Sequence, residues 1–214
     1  MKLTLREWQS RSKDVNTLIV QASTTDGADR WQPFPIGMQY NYYHNYRKGD
    51  SIQIGNHENT VLCCISTVTD MHARPNGINR QSICNNLQQN NIHNRFLQHY
   101  EYYSVLPSYK FMISPRGAGI DTHRHYEALL AGCIPIVEHD DQIKEKYMGC
   151  PILYTTDYSE INENYLLDKY NEMIDMEYDF SRLFISFYDD EKQSEIKECG
   201  NYWIHRFTGN NWYL

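Results

Sequence analysis

Residues 111–137 read FMISPRGAGIDTHRHYEALLAGCIPIV, and this stretch decides the fold class. Apolar runs of strand length occupy 110–114 and 133–137. Between them, a proline and two glycines predict a turn, and a helical pattern over 121–131 stops at Gly132. A strand, a helix and a second strand in this order predict a βαβ unit with parallel strands.

Strand and helix patterns alternate from residue 60 to residue 175, on both sides of this unit. We therefore predict an α/β protein with a Rossmann-like parallel sheet that binds its ligand outside the carboxyl ends of the strands. The other predicted elements are, in chain order, a strand over 16–22, a loop over 40–58 with a short hairpin within it as the alternative, a strand over 60–66, helices over 76–89, 96–109 and 142–148, a strand over 151–154 and mostly helix from 157 to 207.

Composition limits the function classes. The formal net charge of −7 argues against a general nucleic-acid binder, which needs a surplus of lysine and arginine. The N-terminus lacks the apolar core of a signal peptide, and no apolar run approaches the roughly 18 residues of a membrane span. The six cysteines show no C-x-x-C spacing, which favours reduced thiols without zinc and a cytoplasmic protein.

The turn within 111–137 has the residues of an anion site. Gly117 and Gly119 allow backbone N–H groups to approach a ligand, and the helix start adds partial positive charge. A diphosphate fits this arrangement, but the spacing matches neither the dinucleotide fingerprint nor a Walker loop. An ordinary strand-to-helix connection, with its arginine and glutamate as a surface pair, remains open. The polar and charged candidates for binding are Arg116, Asp121, Thr122, His123, Arg124 and Glu127.

The same stretch resembles the signature of the exostosin-like glycosyltransferases. The shared pattern is Ser-Pro-x-Gly-x-Gly-x-Asp-x-His-Arg from Ser114, then Glu-Ala-Leu from Glu127 and Gly-Cys-Ile-Pro from Gly132. The resemblance covers roughly 33–170 and implies the two-Rossmann GT-B fold. It implies a nucleotide-sugar-binding region over 109–214 and a reduced N-terminal acceptor side over 1–108, or one compact domain overall.

The resemblance also implies roles for single residues. Arg124 is expected to neutralise the leaving diphosphate, and Glu127 is expected to bind the nucleoside ribose. Gly117 and Gly119 correspond to the phosphate turn, and Asp121 to an acid that contacts donor hydroxyls. The implied reaction moves a sugar from a UDP- or GDP-linked donor to a glycan or other hydroxyl acceptor. The nucleotide sugar is a co-substrate, and no metal or other cofactor is essential.

Residues outside the signature supply further candidates. Arg74 and Arg80 follow the strand predicted over 60–66 and either bind the donor or stand as ordinary surface arginines. A catalytic base is sought in Asp26, Asp29 and His72, each of which also suits a turn. His139 follows a predicted strand, and the acidic pair over 140–141 fits a helix N-cap better than a carboxylate pair for catalysis.

Three functions remain open from the sequence. The first is the glycosyltransferase, with a nucleotide-sugar donor and a glycan acceptor as its partners. The second is a non-catalytic module that binds a nucleotide sugar or a carbohydrate within a larger protein. The third is another nucleotide-dependent transferase or a sugar-nucleotide epimerase on a similar sheet. Product formation with an acceptor present separates the first from the second.

Overall fold

The computed structural model describes residues 1–22, 31–45, 51–52, 54–74 and 77–213. The N-terminal part contains short elements that pack around the main sheet. They are, in chain order, β1 (Lys2–Thr4), α1 (Leu5–Gln9), β2 (Lys13–Asp14), α2 (Tyr40–Asn45) and β3 (Ser51–Ile52).

Two predictions for this part are wrong. The strand predicted over 16–22 is instead a 3-10 helix, Val15–Thr17, followed by extended backbone. Leu18 and Val20 each form an isolated bridge with a different neighbour, and Gln21 has a φ of 48°, so no ladder develops. The range 40–58, predicted as a loop with a short hairpin as the alternative, contains α2 and β3 among its described residues, and β3 pairs with β2, outside this range.

The rest of the chain confirms the alternation of strand and helix that is predicted from 60 to 175. The segment predicted as mostly helix from 157 to 207 also contains a short strand, Glu177–Asp179, which the sequence did not indicate. The elements are β4 (Asn59–Leu62), α3 (Arg80–Gln89), α4 (His99–Val105), β5 (Tyr109–Ile113), α5 (His123–Ala131), β6 (Ile134–Glu138), α6 (Asp141–Lys146), β7 (Leu153–Thr155), α7 (Glu163–Met173), β8 (Glu177–Asp179) and α8 (Asp190–Thr208).

The central sheet confirms the predicted α/β class. Its four strands are parallel in the order β4-β5-β6-β7, with Phe111 opposite Ile134 and Ile136 opposite Leu153. Helices flank the sheet, and the architecture is compatible with a Rossmann-like fold. β4 and β5 pair across the boundary predicted between 108 and 109, so one sheet spans both predicted regions.

The unit β5–α5–β6 is the centre of the core. The side chains of Phe111, Met112, Leu129 and Ile134 are fully buried. α5 ends where predicted, because Gly132 has a φ of 79° that residues with a side chain rarely adopt. A Cβ at this position would also lie 3.0 Å from the Nε2 atom of His57.

Both ends of the described chain pack against this core. β1 pairs with β8 in antiparallel fashion, and the ring of Trp8 stacks on that of Phe180 with centroids 4.0 Å apart. The indole N–H of Trp8 donates to the carbonyl of Leu129 at 2.7 Å. The hydrogen bond from Trp8 therefore fixes α5 near its C-terminal end. In the ranges that the structure describes, no helix is long and apolar enough to cross a membrane.

Candidate functional site

A cavity of about 200 Å³ lies beside the loop that follows β5, between the starts of α4 and α5. It contains five of the residues that the sequence predicts for ligand binding, which are Arg80, Thr122, His123, Arg124 and Glu127. Its remaining walls come from residues without a sequence signal, which are Gln39, Leu97, His99, Tyr102 and Tyr103. The carboxyl end of a parallel sheet is where α/β proteins bind their ligands.

The N-terminus of α5 opens toward this cavity without a side-chain cap. The helix begins at His123, two residues later than predicted, and Thr122 is its N-cap residue. The Oγ1 atom of Thr122 is buried and has no hydrogen-bond partner among the described residues. The first N–H groups of a helix lack partners within the helix, and its dipole favours an anion there.

Arg124 lies in the first turn of α5 and is not a plain surface residue. Its guanidinium packs over the ring of Tyr102, with Cζ 4.8 Å from the ring centroid. The Nη1 atom is buried and has no hydrogen-bond partner within the described part of the chain. Burial lowers the pKa of Arg124, but the neighbouring groups together, Tyr102 and Glu127 first among them, raise this pKa above its usual value. Arg124 therefore stays charged and has hydrogen-bonding capacity left for a ligand.

Glu127 lies on the same face of α5, one turn further along. Its side chain is 4% exposed, and Oε1 accepts the hydroxyl hydrogen of Tyr103 at 2.8 Å. Burial, and then the charge of Glu127, hold the pKa of Tyr103 well above its usual range, so this hydroxyl remains a donor. The carboxylate is therefore oriented at the inner end of the cavity.

Arg80 also lines the cavity, and its side chain is held by the protein itself. Its Nε, Nη1 and Nη2 atoms donate to the carbonyls of Arg116, Ser66 and Pro115 at 2.9, 3.3 and 3.0 Å. Burial, and then the charge of Arg124, lower the pKa of Arg80 to about 10. Arg80 thus clamps the loop after β5 while it adds positive charge to the cavity.

The two glycines of the loop allow it to fold closely around the side chain of Arg80. A Cβ on Gly117 would lie 3.3 Å from the Nη2 atom of Arg80, closer than most real contacts of this kind. The N–H of Gly117 donates to the carbonyl of Gly119 at 3.0 Å, so this N–H is used inside the loop. Gly117 therefore accommodates the guanidinium of Arg80, and Gly119 closes the turn.

Neither Arg74 nor Arg116 lines the cavity, and Arg74 and the backbone of Arg116 belong to an ion network around the loop. Arg74 pairs with Asp70 at 2.6 Å and with Glu138, and the backbone N–H of Arg116 donates to Glu138 at 2.6 Å. The same oxygen of Asp70 accepts the backbone N–H of Arg80 at 2.9 Å. This network joins the turn after β4, the start of α3, the loop after β5 and the end of β6.

Asp121 and His123 fasten the loop to the N-terminal part of the chain. The carboxylate of Asp121 accepts the backbone N–H of Ile36 at 2.9 Å and the hydroxyl hydrogen of Tyr147 at 2.8 Å. The Nδ1 atom of His123 lies 2.8 Å from the carbonyl of Gly37 and donates to it as Nδ1–H. Asp121 is therefore occupied by protein groups, whereas His123 also lines the cavity.

The base candidates have different positions. His72 is exposed in the turn after β4 and does not line the cavity, and Asp26 and Asp29 lie outside the described residues. His99, which the sequence analysis did not single out, is exposed at the mouth of the cavity. Asp140 caps α6 by accepting the backbone N–H groups of Gln142 and Ile143, as predicted.

The fold and the site define an α/β protein with a positively charged cavity at the carboxyl end of its parallel sheet. No family model matches the chain, and no curated protein matches it either. The resemblance of 111–137 to the exostosin-like glycosyltransferases therefore stays a prediction. Within the described ranges, no group of three or more histidine, cysteine, aspartate or glutamate side chains could hold a metal ion.

Proposed function

We propose that this chain is a nucleotide-sugar-dependent glycosyltransferase whose cavity takes the diphosphate of a UDP- or GDP-linked sugar. The observation that carries the proposal is the buried Nη1 atom of Arg124, unpartnered among the described residues, beside the uncapped start of α5. A buried charged donor without a partner is costly unless a ligand satisfies it. A phosphate oxygen would accept from Nη1, from the Thr122 hydroxyl and from the first N–H groups of the helix.

The charge of the cavity supports an anionic ligand. Two arginines face one carboxylate, so the lining has a formal charge of +1 when its histidines are neutral. Arg124 contributes to the lowered pKa of Arg80, which indicates that the two cations repel each other. A diphosphate between them would offset this repulsion.

Glu127 suits the ribose of the same donor. A carboxylate at the inner end of a cavity can accept hydrogen bonds from vicinal hydroxyls. The cavity of about 200 Å³ is smaller than the roughly 300–1,000 Å³ of sites that enclose a whole ligand. In the proposal it holds the diphosphate and ribose, while the transferred sugar extends beyond its mouth.

Transfer then follows from charge stabilisation. The acceptor oxygen bonds to the anomeric carbon, the bond from that carbon to the phosphate oxygen breaks, and the nucleoside diphosphate leaves with the electron pair. Arg124 and the N-terminus of α5 stabilise the charge that builds on the leaving oxygen. The acceptor proton passes to a base, for which His99, which lines the cavity, joins Asp26 and Asp29 as a candidate, whereas His72 lies outside the cavity.

A transfer assay tests the proposal. The chain is incubated with UDP- and GDP-sugars and a panel of glycan acceptors, and glycosylated product is detected by mass spectrometry. We expect product with the wild type and about a 100-fold lower rate with Arg124→Met, as for other lost donors to a developing oxyanion. The exposed Tyr202→Ala serves as the control. Tight nucleotide binding without product from any acceptor would favour the non-catalytic module instead.

A further inference from the structure

Two exposed aromatic residues adjoin, in the chain, residues that line the cavity. Phe96 is 87% exposed and Tyr100 is 64% exposed, although both are large and apolar. Their neighbours Leu97 and His99 line the cavity. Isolated exposed aromatics are ordinary, but an aromatic pair next to a ligand cavity is typical of a binding surface. We call Phe96, Gln98, His99 and Tyr100 the rim.

The topology places the rim on the side of the transferred sugar. α4 leads into β5 and α5 leads into β6, so both helices begin at the carboxyl ends of the parallel strands. With the diphosphate at the start of α5 and the ribose deeper at Glu127, the sugar on the other end of the diphosphate extends outward. The rim, at the start of α4, borders this outward path. The nucleobase, bound to the ribose, lies away from it.

The chemistry of the rim suits a ligand with many hydroxyl groups. A flat ring packs against the C–H face of a pyranose, and its edges leave the hydroxyls free for hydrogen bonds. Gln98 and His99 lie between the two aromatic residues in the sequence, are exposed, and carry donors and acceptors for those hydroxyls. A large protein partner would instead require a continuous apolar patch, which this alternation of polar and aromatic residues does not provide.

We propose that Phe96 and Tyr100 form the acceptor subsite, where a neutral saccharide ring stacks beside the cavity. The proposal rests on the proposed function, because it uses the direction in which the donor lies. It assigns the acceptor to the carbohydrate class and places it on the rim. Phe96 and Tyr100 are specificity-determining residues, and they do not contact the diphosphate.

Saturation-transfer NMR with lactose, cellobiose, maltose and mannobiose tests this subsite. The wild type is expected to bind at least one of these disaccharides. Phe96→Ala and Tyr100→Ala are expected to weaken that binding about tenfold each, the order expected when one aromatic contact is lost. Tyr202→Ala removes an equally exposed tyrosine from α8, outside the rim, and should leave saccharide binding unchanged.

Calorimetric titration of the same variants with UDP and GDP separates the possible occupants. The proposal requires unchanged nucleotide affinity in both rim variants. Weaker nucleotide binding in Phe96→Ala or Tyr100→Ala would assign the rim to the nucleobase and overturn the proposal, as would a wild type that binds none of the four disaccharides. If the rim variants lose saccharide binding while the wild type binds neither nucleotide, a saccharide site on the rim stands, but the donor assignment fails and with it the role of the rim as an acceptor subsite.

Discussion

Arg80 and Arg124 line the same cavity but have opposite surroundings. Each nitrogen of the Arg80 guanidinium donates to a backbone carbonyl of the protein. Arg124 rests on the face of Tyr102, and its Nη1 atom has no hydrogen-bond partner in the described part of the chain. Both cations are needed to make the cavity positive, yet only one has hydrogen bonds left to give.

The difference separates a structural role from a binding role. A buried cation that satisfies several carbonyls stabilises the loop that it bonds, and its removal leaves those carbonyls unsatisfied. A buried cation with an unpartnered donor is costly to the folded protein and can gain a great deal from an anionic ligand. The two arginines should therefore respond to substitution in opposite ways.

The largest expected effect is on stability, at Arg80. Arg80→Met removes the donors of three carbonyls and one charge beside Asp70, and we expect it to lower the free energy of unfolding by about 3 kcal/mol or more. Urea unfolding measures the change. Arg6→Met, which removes an exposed pair with Asp175, is the matched control and should leave the midpoint nearly unchanged. Equal midpoints for Arg80→Met and the wild type would contradict the structural role.

Arg124 should show the reverse pattern. Arg124→Met keeps the packing on Tyr102 but removes the charge, and hydrogen bonds to charged groups contribute about 1.5–3 kcal/mol. We expect about 10- to 100-fold weaker binding of UDP or GDP, with the free energy of unfolding within about 1 kcal/mol of the wild type. Calorimetry and urea unfolding on the same preparation check both parts. If Arg124→Met unfolds at a much lower urea concentration than the wild type and still binds nucleotide, Arg124 has a structural role and not a binding role.

Substitution of Glu127 tests whether this residue binds the ribose or the phosphates of the nucleotide. Glu127→Gln keeps the shape but weakens acceptance from hydroxyls, and we expect about tenfold weaker binding of UDP or GDP. Pyrophosphate lacks the ribose, so its affinity should stay the same or rise as a negative charge is removed. Parallel calorimetric titrations compare the two ligands. An equal loss for both ligands would place Glu127 at the phosphates instead.

The smallest effect concerns pH and the buried pair of Ser114 and His125. Their Oγ and Nδ1 atoms lie 2.7 Å apart, and burial lowers the pKa of His125. The unfolded chain therefore binds this proton at a higher pH than the folded chain, so stability is complete above about pH 6.5 and falls as the pH drops below it.

The test is the slope of stability against pH. His125 can contribute at most about 1.4 kcal/mol per pH unit. Urea unfolding between pH 7 and 5 should show a smaller slope for His125→Gln than for the wild type. His57, whose pKa is also lowered by burial, contributes to both proteins and cancels in the comparison. Parallel slopes would show that His125 does not titrate differently on folding.

The sequence predicted the strands and helix within 110–137 better than the structure of the N-terminal part of the chain. The strands and helix within 110–137 occur within about two residues of their predicted bounds, because apolar runs, turn glycines and Gly132 all indicate the same structure. The prediction of a strand over 16–22 was wrong because Leu18 and Val20 bridge to two different segments. Leu18 pairs with Phe184, which is far away in the sequence, and Val20 pairs with Met38. Such pairing leaves no local pattern.

The candidate site also contains residues that the local sequence predicts and residues that it does not. Arg124 and Glu127 are three residues apart on one helix, so their spacing alone predicts that they lie together. Tyr102 and Tyr103 reach the cavity only because α4 packs beside α5, which no local signal in α4 indicates. Asp121 was expected to contact the donor, but its partners Ile36 and Tyr147 come from remote segments.

The arginine side chains themselves give the most direct test of the central claim. Nitrogen–proton NMR spectra of the arginine Nε–H groups, assigned with Arg124→Lys and Arg80→Lys, are recorded during titration with UDP and then with GDP. The signal of Arg124 is expected to move until one of the nucleotides saturates the protein, while the signal of Arg80 moves far less. An Arg124 signal that stays in place with both nucleotides would contradict a diphosphate site in this cavity.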